Sequence, residues 1–472
     1  MCPFVVQTPI YFVPFCIFCG SKTKFTLLLD LSYRQIWKIS APIMLGSAVQ
    51  NIIALSDAVL LYHKGEVEFA AMGFVGVFYI TIAAIGFSFS RGGQIMIARR
   101  MGEIRPDAVG HTFHTMLLFE LALAAVMWAF MRFGSAWFFQ FFLEHSPKVY
   151  EKSLEYIHYR SYGVFFSYGG VALISLYTGI ARPRIILATT LLLATVNLGL
   201  NYALIFGKFG LPEMGIGGSG LASSIAEGVA FVFFVTYMVF DKQIRDQHIF
   251  KIPKPDWPMT LQQLRIALPV VAQAAVGQGS WVFFFGMVEN LGERPLAISN
   301  LARTVYLLLS IPLWGFSTGV NTLVSNLIGQ NRRAEVLGAA WKTGKLCWFV
   351  TMLMAVPILL YPEKLLYPLL GKDDMSLITE TQPIFYFLLC LLSFSTFGAV
   401  LMNALSGTGA TWFGLKLQAL CIAFYLGYIY WVTNFTQLDL IWVWAAEVLY
   451  WVPMITLVLV YLRSEKWHEM RF

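Results

Sequence analysis

Charge is scarce in this chain. Only 12% of its 472 residues are Asp, Glu, Lys or Arg, about half the share of a soluble domain, so a water-soluble globule is excluded. Motifs of chemistry are missing as well. No G-x-x-x-x-G-K-[ST] loop is present to cradle a nucleotide, H-E-x-x-H is absent, and the one G-x-S-x-G match, GFSTG at 315–319, lies inside an apolar run and lacks the strand-to-helix turn that a nucleophile needs. Direct ATP coupling within the chain and the common hydrolase chemistries fall away. Cysteine is sparse too. Cys16-x-x-Cys19 has redox or metal spacing, but no second pair completes a zinc site. Alternating ten-residue segments of a membrane β-barrel are lacking.

What remains is apolar. Hydrophobic residues make up 58% of the chain, in runs near the ~20 residues that a spanning helix needs. The expected fold class is an all-α polytopic membrane protein. Its twelve expected spans lie at about 34–61, 68–98, 108–132, 152–180, 184–206, 216–240, 260–288, 294–327, 335–361, 378–405, 412–433 and 438–462. The formal charge of +7 does not point to nucleic acid, because the basic residues are scattered at helix ends. Most of them, Arg99, Arg100, Arg105, Arg332 and Arg333 included, fall in loops on one side. That bias places both termini in the cytoplasm.

An internal repeat divides the chain. Pro42 in KISAPIML matches Pro269 in RIALPVVA, an offset of 269 − 42 = 227. The same offset pairs Gly92 with Gly319 and Gly102 with Gly329, and Gly179 meets Gly407 at 407 − 179 = 228. Six spans separate the copies, so both run the same way through the membrane, an arrangement found in transporters with sites near the repeat interface. The expected organisation is an N-terminal extension (1–33), a first six-helix lobe (34–242), a charged, proline-rich cytoplasmic linker (243–258), a second lobe (259–463) and a cytoplasmic tail (464–472).

The first span carries the sharpest signal. Asp57 lies deep in an apolar helix, where a carboxylate costs about 2.5–3.5 kcal/mol to insert and usually marks an ion or substrate path. Ser47, Gln50, Asn51, Ala54 and Asp57 share a face, and Pro42 can bend the helix above them. Span five adds Asn197 and Asn201, and span six adds Ser219, Ser223 and Glu227, each set four residues apart on one face. Amides and hydroxyls so placed suit a cavity for protons or cations; the bland alternative is polar glue between helices, worth about 0.6 kcal/mol per bond. Glu120, Glu447, Arg91 and Arg303 are further charges inside apolar runs. His111 and His114 read as a solvated face at a helix end. With 75 aromatic residues (40 Phe, 21 Tyr and 14 Trp) and 18 Met, a cavity wall for flat apolar cations is available.

Several stretches resemble the multidrug and toxic compound extrusion (MATE) family. They are residues 42–57, RGGQIMIARRMGE, NLGLNYALIFGKFGLPEMGIGGSGLASSIAE and GVNTLVSNLIGQNRRAEV. The likeness runs from about 34 to 463, and GLASSIAE is closer to the DinF-type branch than to the NorM-type. The resemblance implies a twelve-helix antiporter with two pseudo-symmetric lobes. Such a protein exports drugs and organic cations against H⁺ or Na⁺, with no cofactor beyond the coupling ion. It implies a monomer in the bacterial inner membrane. It also makes Asp57 the span-one acid, Asn197 the nearby span-five amide and Ser223 a site hydroxyl. A Na⁺ at Asp57, Asn197 and Asn201 is the metal alternative, and Gln50, Asn51 and Gln278 are cavity-lining candidates. Asn201 stands where many DinF-type members carry Asp. The second-lobe acids of the NorM-type branch have Gly277 or Gln278 and Ser395 in their places. The alternatives are a lipid-linked oligosaccharide flippase of the same superfamily, with Arg91, Arg160 and Arg303 as phosphate binders, and a membrane-embedded enzyme.

Overall fold

A computed structural model describes residues 29–245, 256–362, 375–436, 438–464 and 466–469. Most of the expected N-terminal extension, with Cys2, Cys16 and Cys19, and most of the expected linker lie outside the described residues.

All regular structure among the described residues is helical, as a chain with no water to satisfy its backbone requires. The helices are α1 Tyr33–Lys64, α2 Glu66–Gly102, α3 Pro106–Ala129, α4 Ser135–Leu143, α5 Pro147–Arg160, α6 Gly163–Gly179, α7 Arg184–Phe206, α8 Gly215–Phe240 and α9 Lys242–Arg245. After them come α10 Trp257–Glu289, α11 Glu293–Leu309, α12 Ile311–Gly329, α13 Val336–Leu360, α14 Met375–Gly407, α15 Thr411–Phe435, α16 Leu440–Trp444 and α17 Ala446–Arg463. Ten helical stretches are long and apolar enough to cross a membrane, and α11 with α12 forms an eleventh that bends by 44°. The shorter apolar helix Gly163–Gly179 brings the arrangement into line with twelve spans.

The deviations from the expected spans are local. Span four divides at Ser161 and Tyr162, and the chain then passes close to the Arg160 guanidinium. A Cβ on Gly163 would stand 2.3 Å from Arg160 Nη1. Span eight breaks at Ser310, and Pro312 in the first turn of α12 has no N–H with which to continue the helix before it. Span three runs on to Leu143 through a π-turn at Phe130–Gly134.

The repeat is visible in the packing. Helices α2 and α12 are repeat partners, and they cross at their own equivalent glycines, as a pseudo-twofold contact does. A Cβ on Gly102 would lie 2.1 Å from Asn326 O, and one on Gly329 would lie 2.3 Å from Arg99 O. Gln94 Nε2 donates to Thr322 Oγ1 at 2.9 Å, one residue past its repeat equivalent Asn321 (94 + 227 = 321). The outer pairs follow the same rule. Helix α1 packs on both α12 and α7, while α10 packs on both α2 and α15. Asp57 therefore sits on a helix that touches both halves of the chain. Gly102→Ala is expected to cost about 1–3 kcal/mol by overpacking this crossing. Gly338→Ala, where nothing lies within 4 Å, is the control. Thermal unfolding in detergent should show a lowered midpoint for the first substitution alone.

Candidate functional site

Three helices assemble the polar cluster of the first half. Helix α1 brings Asp57, α7 brings Asn197 and Asn201, and α8 brings Ser223. All four are buried: 5% of Asp57, 1% of Asn197, 0% of Asn201 and 8% of Ser223 is exposed. Asn201 Nδ2 donates to Asp57 Oδ1 at 2.6 Å and to Asn197 Oδ1 at 3.1 Å. Asn197 Nδ2 passes the chain on to Ser223 Oγ at 3.0 Å. The four-residue spacing of the two asparagines makes this one ladder on one helix face. Asn201 Oδ1 is buried without a partner. An orphaned amide oxygen beside a carboxyl can accept a proton-bearing oxygen or join Asp57 and Asn197 around a cation. These groups thus suit either a proton or a small cation on donor chemistry. Among the described residues no group of three or more His, Cys, Asp or Glu is gathered for a metal.

Glu227 lies elsewhere in the same half. Arg160 at the end of α5 donates from Nη1 to Glu227 Oε2 at 2.7 Å and from Nη2 to Oε1 at 2.6 Å. This fork geometry makes a strong charge-assisted pair. The guanidinium also stacks over the Tyr79 ring at 3.8 Å, and it is within electrostatic reach of Asp57. Arg160 and Tyr79 are the residues that sequence reasoning did not assign to this cluster. The usable signal was Glu227, a carboxylate in an apolar helix that carries no Lys or Arg of its own.

The other candidates go to separate places. Pro42 lies within α1, which continues through it. Gln50, Asn51 and Gln278 are exposed, and Asn51 Nδ2 turns back to Ser47 O at 2.9 Å. Ser219 is fully buried and its hydroxyl has no partner. Glu120 accepts a 2.5 Å bond from Ser90. Arg91 reaches Asn403 and Thr318 at 3.5 Å, and Arg303 stands over Phe285 at 5.1 Å. The histidines do not form a pair. His111 Nε2 meets Asp256 Oδ2 at 2.7 Å, while His114 Nδ1 faces Gly110 O at 2.8 Å. Asp256 caps α10, and the Met259 N–H, followed by His111, holds its carboxyl below the usual range. Glu213, in the loop after α7, is likewise held low by Lys64.

Comparison with known proteins adds three findings. The sequence profile of the MatE family matches residues 42–203 and again 269–431. The two stretches start 269 − 42 = 227 residues apart and end 431 − 203 = 228 apart, the offsets of the internal repeat. A protein of Thermotoga maritima named "Probable multidrug resistance protein NorM" is 22% identical over 452 residues, covering 92% of this chain and 93% of its own. Other relatives carry the same NorM name. Among solved structures, an outward-facing multidrug resistance MATE family transporter of the MOP superfamily superposes with a TM-score of 0.84 at 19% identity. That match covers 94% of this chain and all of the other. A MOP superfamily transporter from Pyrococcus furiosus, described as having a binding pocket of reversed polarity, gives 0.83 at 19% identity over 94% and 98% of the two chains.

Proposed function

The chain belongs to the MatE family, and from that premise we propose that it is a secondary active multidrug efflux antiporter. It exports organic, often cationic, compounds in exchange for H⁺, with Na⁺ as the alternative ion. The observation that carries the reading is the buried ladder from Asp57 through Asn201 and Asn197 to Ser223, placed on a helix that contacts both halves.

The proposed cycle uses the two faces of one amide. Ionised Asp57 accepts from Asn201 Nδ2, as the structure has it. Protonated Asp57 has an O–H to donate, and rotation of the Asn201 amide turns its orphaned Oδ1 to receive it. The ladder is then rewired as far as Ser223. Helix α1 shifts against α7 and carries the change to α12. Pro42, which leaves one backbone carbonyl of α1 without its donor, is the place where bending is least costly. Each charge moved contributes about 2.3 kcal/mol per 100 mV. Glu227 acts on coupling through Arg160, which both acids feel. Na⁺ would instead draw on the oxygens of Asp57, Asn197 and Asn201.

The two six-helix lobes, 34–242 and 259–463, rock about the α2–α12 crossing in this scheme. The protein works as a monomer in the bacterial inner membrane with both termini cytoplasmic. GLASSIAE supports the DinF-type branch, while the relatives' NorM names weigh toward the other. The scheme rests on the first-half acid and does not depend on the branch. The flippase reading needs a cluster of positive charge, and Arg91, Arg160 and Arg303 are spent on three different sets of partners.

The test is a panel of organic cations in cells stripped of their own pumps. Expression should lower the accumulation of at least one compound, and collapsing the pH gradient should restore it. A panel left unchanged by expression would overturn the reading.

A further inference from the structure

Glu447 has no part in the cycle above. It lies in the first turn of α17, 6% exposed, and accepts a hydrogen bond from Tyr425 Oη at 3.1 Å. Tyr425 and Tyr450 are 6.2 Å apart at their ring centres, and Tyr450 and Trp451 are 4.8 Å apart. The groups that face this carboxyl are Tyr306 of α11, Tyr425 of α15, and Tyr450 and Trp451 of α17. Cys421 stands behind Tyr450, and Ser395 of α14 stands beside Tyr306. None of them is an acid, Lys, Arg or His. In this Glu447 differs from Glu227, which a guanidinium neutralises.

The repeat says what this place corresponds to. At the 228 offset Asn197 becomes Tyr425, and the sixth spans, Gly215–Phe240 and Leu440–Arg463, bring Ser223 to the first half and Glu447 to the second. The first half joins Asn197 to Ser223 between its fifth and sixth spans, and the second half joins Tyr425 to Glu447 between its own. Meanwhile Asp57 corresponds to Phe284 (57 + 227) and Asn201 to Ile429 (201 + 228). Both of these are fully buried in an apolar cluster. The second half has lost the acid of its first span and carries a carboxyl on its sixth, in the same polar junction.

We propose that Glu447 is a second proton-binding site of this transporter, taking up and releasing one proton per cycle as Asp57 does in the first half. The inference rests on the efflux reading. A proton fits the site because the carboxyl finds only one hydroxyl in an otherwise aromatic wall, whereas a metal ion needs a shell of oxygen ligands.

The experiment compares wild type, Asp57→Asn and Glu447→Gln in proteoliposomes with ethidium as probe, a one-unit pH gradient and the membrane potential clamped at zero. Each exchanged proton multiplies the final ethidium ratio by about ten, since tenfold is one unit of free-energy balance on that scale. Glu447→Gln should lower the ratio about tenfold. A wild-type ratio in Glu447→Gln, with Asp57→Asn impaired, overturns the Glu447 site and leaves efflux standing. Failure of the wild type to build a ratio overturns the efflux reading instead. The site itself is then read without transport, by pH-difference infrared spectra of the protein in lipid. An acid carbonyl band present in wild type and absent from Glu447→Gln supports it, and identical spectra overturn it. If Glu447→Gln does not fold, Tyr425→Phe takes its place. Removing the phenol hydrogen bond must move that band, and an unmoved band overturns the proposal.

Discussion

Asp57→Asn protein is expected to fold, reach the membrane and bind organic cations weakly, yet drive no efflux under an imposed pH gradient. Rates should fall to those of empty vesicles. The reason lies in what the substitution keeps and removes. An Asn at 57 still offers a carbonyl oxygen to Asn201 Nδ2, so the 2.6 Å contact survives as a neutral hydrogen bond. The loss in stability is about 1 kcal/mol or less. What disappears is the second protonation state. With no proton to gain or lose, residue 57 offers its carbonyl oxygen and its N–H groups at every pH, so nothing switches Asn201 between its two faces and the ladder to Ser223 is uncoupled from the proton gradient. Transport in reconstituted vesicles, alongside thermal unfolding of the same preparation, separates this loss of coupling from misfolding.

Glu227→Gln is expected to act mainly on stability. It strips one partner from a buried, bidentate pair and leaves the Arg160 guanidinium charged, 7% exposed at its side chain. Removing one partner of such a pair costs about 3–5 kcal/mol. Replacing both, as Arg160→Met with Glu227→Leu, should recover most of the loss, because neither desolvated charge then remains. Unfolding midpoints of the two variants check this. Equal destabilisation in the single and double variants would show that the pair is not the unit of stability. In the double variant, coupling through Arg160 is absent, so any efflux that remains shows that Asp57 works without the Arg160–Glu227 pair.

The spans were legible because each is a long apolar run, and the repeat was legible because a constant offset of 227–228 joins its glycines and prolines. The breaks were less visible. Span four reads as one segment, and its division at Ser161 and Tyr162 appears only in the fold. Asp57 stood out as a charge in an apolar helix, while its bond to Asn201 spans 144 residues and entered only through family resemblance. The Arg160–Glu227 pair spans 67 residues and follows no helical period, so nothing local announces it. His111 misled for the opposite reason. It and His114 read as a solvated face at a helix end, but His114 is buried and His111 meets Asp256, 145 positions away.

The central claim is that a proton and an organic cation cross in opposite directions through the Asp57 cluster. Vesicles holding the purified protein and a trapped pH dye test it most directly, with no gradient imposed except ethidium. The account predicts that ethidium moving one way drives a proton signal the other way, present in wild type and abolished by Asp57→Asn. Ethidium crossing with no pH change, or with the same change in both proteins, would contradict it.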